Sequence, residues 1–253
     1  MLNTSNIMPL ILAAGTNSDF LTHSGQPYPA MAMYRNKHLY EWVLAAIRGA
    51  GLRGGLMITG QDGVDPNFIR TLRGGETMAE SLKIGLKEAG NAEYVLIATA
   101  DLPDIAPHAV RFFLEDAISS KADIVYPVVP AALCEKAYPG MKRTLVRFRE
   151  GVFTGGNLFL VRRQAMLDNW ETITGFLELR KSKWKLARKL GLGVMAKMLC
   201  GLLSLAEVKT IADRLLGAKT KVTICDFHGA ATIGADADTW EQYMRFINRK
   251  LET

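Results

Sequence analysis

Cysteine, histidine and long apolar runs are all scarce in this chain, and each scarcity removes a class of protein. Three cysteines occur, Cys134, Cys200 and Cys225, odd in number and far apart. They form neither a disulfide framework nor a metal-binding spacing, and they read as reduced thiols of a cytoplasmic protein. The four histidines, His23, His38, His108 and His228, share no ligand spacing and read as loop or surface residues. Met8 to Ala14 is apolar for only seven residues with polar residues before it, which is not a secretory signal pattern. No run is long enough to span a bilayer. Internal repeats and low-complexity linkers are missing as well.

What remains is the composition of a folded globular chain. It has 253 residues, 49% hydrophobic and 22% charged, enough for a sizeable core and too apolar for disorder. The net charge of +6 is concentrated in one place: Arg180 to Lys221 carries +9, so the rest of the chain sums to −3. Nucleic acid is not the implied partner, because no stacking aromatics or recognition motif accompany the basic charge.

Tyr94 to Thr99 is a short, nearly continuous apolar run with β-branched Val95 and Ile97, the pattern of a strand buried on both faces. It stops at Asp101-Leu102-Pro103. Open α/β sheets place their ligands at the carboxyl ends of such strands, although an isolated Asp101 or Asp104 serves equally well as a helix cap. Similar runs occur at 8–14, 55–59 and 123–129, with helical spacing at 37–51, 77–90 and 106–118 between them. Thr77 and Glu80 fit a capping box. This alternation predicts a doubly wound, mostly parallel α/β sheet. Residues 16–36 read as a long loop. Residues 143–149 and 158–161 read as strands, 163–216 as helical, 221–225 as a strand, and a last helix ends near Leu251. The expected organisation is one domain over 1–253 with a basic helical insertion at 163–217.

Within that insertion, Arg180 to Leu190 is basic with one Trp and runs into the apolar, glycine-broken 191–203. Such a stretch suits weak peripheral contact with an anionic membrane through 180–203. The favoured alternative is a helical subdomain that packs its Leu and Met face on the sheet and leaves its lysines solvated.

Five features fall in an ordered series: Leu12-Ala13-Ala14-Gly15 after the first strand, Lys37 to Leu44 opening a helix, Gly74-Gly75-Glu76-Thr77 with Ser81 opening another, Asp101-Leu102-Pro103, and Asp236-Ala237-Asp238-Thr239-Trp240-Glu241. In this order and spacing the chain resembles the nucleotidyltransferases related to the molybdenum-cofactor guanylyl- and cytidylyltransferases and the sugar-phosphate nucleotidylyltransferases, which share a glycosyltransferase-A-like fold. The resemblance implies a Mg²⁺ (or Mn²⁺) held by Asp101 and Asp238, with Asp236 as the alternative second ligand. It implies nucleotide contacts from Ala13, Ala14, Gly15, Thr16, Gly74, Gly75 and Ser81. The acceptor side falls to Thr154, Gly155, Gly156 and Asn157.

The first loop departs from the family pattern. Asn17 stands at a glycine position, Asp19 at the arginine and Pro29 at the lysine that neutralise the triphosphate. Lys37 is the cation assigned to that role here, with Arg35, Arg70 and Arg73 as alternatives, and Asp19→Arg with Pro29→Lys is the substitution expected to tighten NTP binding. The implied function is Mg²⁺-dependent transfer of a nucleotidyl group from an NTP to a phosphorylated or hydroxyl-bearing acceptor. A glycosyltransferase using a nucleotide-sugar, and a catalytically silent relative that binds a nucleotide or a membrane, are the alternatives.

Overall fold

A computed structural model describes residues 4–25, 27–60, 70–179, 188 and 190–249. Its centre is set by four strands, each an apolar run in the sequence: β1 (Ile7–Ala13), β4 (Leu56–Thr59), β6 (Tyr94–Thr99) and β7 (Ile124–Pro130). With β5 (Arg70–Arg73), β8 (Leu145–Phe148), β9 (Gly151–Gly155) and β10 (Leu158–Arg162), all four lie in one sheet of order β5-β4-β1-β6-β10-β7-β9-β8, with β11 (Thr220–Ile224) paired to β7 off this path. The pairs β5–β4, β4–β1, β1–β6 and β7–β11 are parallel. β10 inserts antiparallel between β6 and β7. β8 and β9 form an antiparallel pair at one end; β8 falls within the expected 143–149 strand, and β9 places Thr154 and Gly155 in a strand.

Side chains of a strand alternate between the two faces, and the central strands use both. Ile11, Met57, Leu96, Ala98 and Val125 join a core beneath α2 (Leu39–Gly49) and α4 (Pro107–Ser119). Leu10, Leu56, Ile58, Val95 and Ile97 join another, beneath α3 (Met78–Glu88), α6 (Arg163–Asp168) and α7 (Trp170–Leu179). Helices on both faces make the sheet doubly wound. The caps follow the sequence: Thr77 Oγ1 accepts from Glu80 N at 3.1 Å and Thr77 N donates to Glu80 Oε2 at 3.2 Å.

Three expectations are corrected. The loop at 16–36 contains a helix, α1 (Ser18–Ser24), a 3-10 turn over Pro29–Met31, and a two-residue ribbon of β2 (Met33–Tyr34) with β3 (Lys37–His38). Helix α2 therefore starts at Leu39, not Lys37. The edge strand β5 (Arg70–Arg73) and the short helix α5 (Ala131–Ala137) have no counterpart in the sequence pattern. In the basic region, residues 180–187 and 189, Trp184 among them, lie outside the described residues. Beyond them α8 (Leu192–Leu199) buries none of its residues, so it does not pack a Leu and Met face on the sheet. Helix α9 (Leu205–Leu216) does pack, through Leu205 and Leu215. No helix among the described residues is long and apolar enough to cross a membrane.

Candidate nucleotide and metal site

The parallel strands deliver the site to one sheet edge. Leu12 pairs with Thr99, and Ala100 N donates to Leu12 O at 3.1 Å, so the chain leaves β1 and β6 side by side. Asp101 follows immediately. Its backbone carbonyl accepts from Ala237 N at 2.9 Å, which brings the Asp236–Asp238 segment onto the end of β6. Thr99 N donates to Asn157 O at 3.2 Å and Asn157 N to Ile233 O at 2.9 Å, which draws the start of β10 alongside.

Neither carboxylate is spent on a helix cap. Helix α4 has Ala106 at its N-cap position with no side-chain cap, while Asp104 accepts from Tyr34 Oη at 2.8 Å and pairs with Arg249 at 3.1 Å. At α10 (Trp240–Asn248) the cap is Thr239, whose Oγ1 accepts from Gln242 N at 3.2 Å. Asp101 and Asp238 instead line a cleft of about 150 Å³ with Ala13, Gly15, Thr16, Asn17, Pro29 and Ala30. Asp101 as a residue is only partly enclosed, but its Oδ1 is buried and has no hydrogen-bond partner. Burial, joined by repulsion from Asp238, raises its carboxyl to about 6. Asp236 is also raised, first by burial and then by Asp238 and Asp101. Three carboxylates thus crowd one strand end; among the described residues no Lys or Arg lines the small cleft of Asp101 and Asp238, while Asp236 and Asp238 share the neighbouring cleft with Lys142 and Arg143. Among the described residues no group of three or more His, Cys, Asp and Glu is placed to hold a metal ion, so these carboxylates could supply at most two protein ligands.

The glycine-rich loops meet at the same edge. A Cβ on Gly74 would lie 2.8 Å from Ala14 Cβ, so the 74–75 turn rests directly on the first loop. A Cβ on Gly15 would meet nothing within 4 Å, so that backbone faces open space. Ser81 Oγ accepts from Gly75 N at 3.1 Å, holding the turn. A second, larger cleft of about 660 Å³ shares Asp238 with the first and is lined by Thr154, Gly155, Gly156, Asn157, Asp236, Lys142 and Arg143. The Arg143 Nε is buried without a hydrogen-bond partner, its Nη2 reaches Met141 Sδ at 3.2 Å, and its guanidinium lies over the Tyr138 ring at 5.5 Å.

Lys37 is not brought to either cleft: its ammonium lies 5.1 Å from the centre of the Trp42 ring. Arg35 lies over Tyr34 and Arg70 pairs with Glu88, so these cations are also occupied elsewhere. Arg73 ends β5, where it pairs in register with Thr59, one residue before Gly74.

Sequence reasoning missed what Asn17 and Asp19 do. Asn17 caps α1, its Oδ1 accepting from Asp19 N at 2.8 Å, and its Nδ2 donates to Asp238 O at 2.5 Å. Asp19 Oδ2 accepts from Trp240 N at 2.7 Å. The two residues at the family's glycine and arginine positions therefore latch the first loop to the Asp236–Asp238 segment, and Asp19 is turned to α10. Asp19→Arg would break that latch, so the paired substitution with Pro29→Lys is not the way to tighten NTP binding. Asp19→Ala is expected to cost about 1 kcal/mol of stability, the ordinary value of a helix N-terminal cap, as a fall in thermal midpoint. An unchanged midpoint would mean the latch contributes nothing.

The MobA-like NTP transferase domain matches residues 9–176, two-thirds of the chain. The chain belongs to the MobA-like NTP transferase family. A hypothetical transferase from Thermus thermophilus is 34% identical over 93% of this chain and 98% of its own, with a TM-score of 0.82. The 2-C-methyl-D-erythritol 4-phosphate cytidylyltransferase of Thermus thermophilus is 17% identical over 95% of this chain and 96% of its own, with a TM-score of 0.57. A Mycobacterium tuberculosis protein solved in complex with manganese is 16% identical over 96% and 99%, with a TM-score of 0.51. The last two share the fold alone. No curated protein matches the chain. This member of the MobA-like family therefore has the nucleotide-diphospho-sugar transferase fold and a nucleotidyltransferase-type domain.

Proposed function

We propose that this MobA-like protein transfers a nucleotidyl group from an NTP to an acceptor, with Mg²⁺ (or Mn²⁺) held between Asp101 and Asp238. The observation that carries the reading is the buried, unpartnered Oδ1 of Asp101 beside Asp238, at the strand end where the first loop opens. Carboxylates crowded by burial and mutual repulsion, with no lysine or arginine lining the cleft among the described residues, fit a hard divalent cation that takes one or two protein carboxylates and completes its shell with phosphate and water. Such an ion, held by Asp101 and Asp238, would neutralise the phosphate oxygens at which charge develops. The chain's own part is positioning. Gly15 leaves room for the phosphates, the 74–75 turn braced by Ser81 sits on the base side, and the latch of Asn17 and Asp19 fixes Asp238. In-line transfer of this kind needs no protein nucleophile.

The acceptor belongs in the larger cleft, between Thr154–Asn157, at the end of β9, and Arg143. Arg143 lines that cleft with its guanidinium over Tyr138 and in no salt bridge among the described residues, so an acceptor phosphate is its natural complement. Arg143→Gln is expected to raise the acceptor KM about tenfold or more, with little change in the KM for NTP. Equal effects on both would place Arg143 on the nucleotide.

A nucleotide-sugar donor is the second reading, favoured by the same lack of cations lining the small cleft among the described residues, since a diphosphate asks for less neutralisation than a triphosphate. Thermal-shift titrations with NTPs and nucleotide-sugars, each with and without Mg²⁺, followed by assays for pyrophosphate and for nucleoside diphosphate release, separate the two. Pyrophosphate release supports the first reading and nucleoside diphosphate release the second. Neither product, with Mg²⁺-dependent binding intact, leaves a silent nucleotide-binding relative.

A further inference from the structure

We propose that the surface made by α8 and the loop after it, framed by Arg147 and Arg149, docks on an anionic lipid bilayer. Helix α8 has eight residues and none is buried. Leu192 is 86% exposed, Leu199 83% and Leu202 59%. Leu192 and Leu199 are seven apart, two helical turns, so both project from one side of the helix. Single exposed leucines are ordinary on a globular protein, but three bulky ones within eleven residues make a patch that asks for a partner.

The patch sits on a fixed platform. Leu203 and Leu205 beside it are buried, and Ser204 caps α9, accepting from Glu207 N at 3.2 Å. Leu202 N donates to Lys197 O at 2.8 Å, closing the end of α8. The loop is tied to the β8–β9 turn, where Arg149 N donates to Leu203 O at 3.0 Å. Gly201 has a φ of +67°, and a Cβ there would lie 2.5 Å from Arg147 Cδ, so the Arg147 stem lies across the loop at Gly201.

Charge selects the occupant. Arg147 and Arg149 are exposed and take part in none of the salt bridges among the described residues. The sequence just before α8, Arg180 to Leu190, has six Lys or Arg and no acid, and Arg188 within it is exposed. Exposed leucines on an element anchored to two exposed arginines in no salt bridge complement a surface that is apolar below and anionic above, which is the make-up of an acidic bilayer's headgroup boundary. The helix is too short to span, so contact is peripheral.

The test is co-sedimentation of the full chain with phosphatidylcholine vesicles, with and without phosphatidylglycerol, at low and high salt. The expected result is binding to the acidic vesicles alone, weakened by salt. Leu192→Ser with Leu199→Ser should abolish it while the thermal midpoint stays unchanged, and Arg147→Glu with Arg149→Glu should weaken it about tenfold or more. No sedimentation with acidic vesicles at low salt, or equal sedimentation of the leucine variant, overturns the proposal. So does a lowered midpoint in the leucine variant, which would mean that the chain covers these leucines itself. A dimer in solution that the leucine variant converts to monomer would overturn it too, by assigning the face to a second copy.

Discussion

Asp101→Asn is expected to lower metal-dependent transfer by about a hundred- to a thousandfold while stabilising the ligand-free protein at neutral pH. The loss follows from removing one of two carboxylates that would hold the ion against the phosphates. The gain follows from the electrostatics of the ligand-free fold. Burial and the Asp238 charge raise the Asp101 carboxyl from 3.8 to about 6, so the folded state binds that proton more tightly than the unfolded chain does. Stability contributed by this group is therefore present below about pH 4 and is lost as pH rises toward 6, after which the full penalty persists. A shift of this size corresponds to about 2–3 kcal/mol, which asparagine does not incur. Thermal midpoints of both proteins in the presence of a chelator should converge near pH 4 and separate above pH 6, with the variant higher. A variant less stable than wild type at neutral pH would show that the carboxylate is a structural partner and not a strained ligand.

Pro29→Lys is expected to raise NTP turnover about ten- to a hundredfold, more than it tightens ground-state binding. Pro29 lines the small cleft and opens a 3-10 turn, where its missing N–H is not needed, so a lysine can replace it without breaking a backbone bond. The cleft is lined by two carboxylates and, among the described residues, no cation, so an added ammonium would face the charge that grows on the phosphates during transfer. The same ammonium would compete with the ion for Asp101 when nucleotide is absent, so metal affinity of the ligand-free variant should fall. Assays of pyrophosphate release at saturating and at low NTP separate the two effects. Turnover unchanged by the lysine would mean that another cation, Arg73 at the end of β5 first among them, already serves the phosphates.

The frame of the fold was legible because its central strands are apolar runs buried on both faces, a pattern that few other structures tolerate. The edges were not. β5 reads Arg-Thr-Leu-Arg, with exposed arginines at both ends, the charged character by which sheet edges avoid pairing and by which they escape recognition as strands. Helix α1 buries only Phe20, yet Asn17 as its cap and Gly25 in the left-handed conformation at its end are signals that a polar loop does not need. That Asp101 and Asp238 line one cleft could be expected from strand ends and motif order. The latch could not, since Asn17 and Asp19 each reach a partner 221 positions away. Nor could the fate of Lys37, which depends on the β2–β3 ribbon turning its ammonium toward Trp42. Residue types at family positions thus marked a departure from the family pattern, and only the fold disclosed what the replacements do.

The most direct test of the account is calorimetric titration of NTP into the wild-type protein, Asp101→Asn and Asp238→Asn, each with Mg²⁺ and with chelator. The account predicts binding to the wild type that requires Mg²⁺ and is lost in both variants, which remain folded. Binding of equal strength with chelator, or retained at wild-type strength in both variants, would contradict a metal-bridged nucleotide at this strand end.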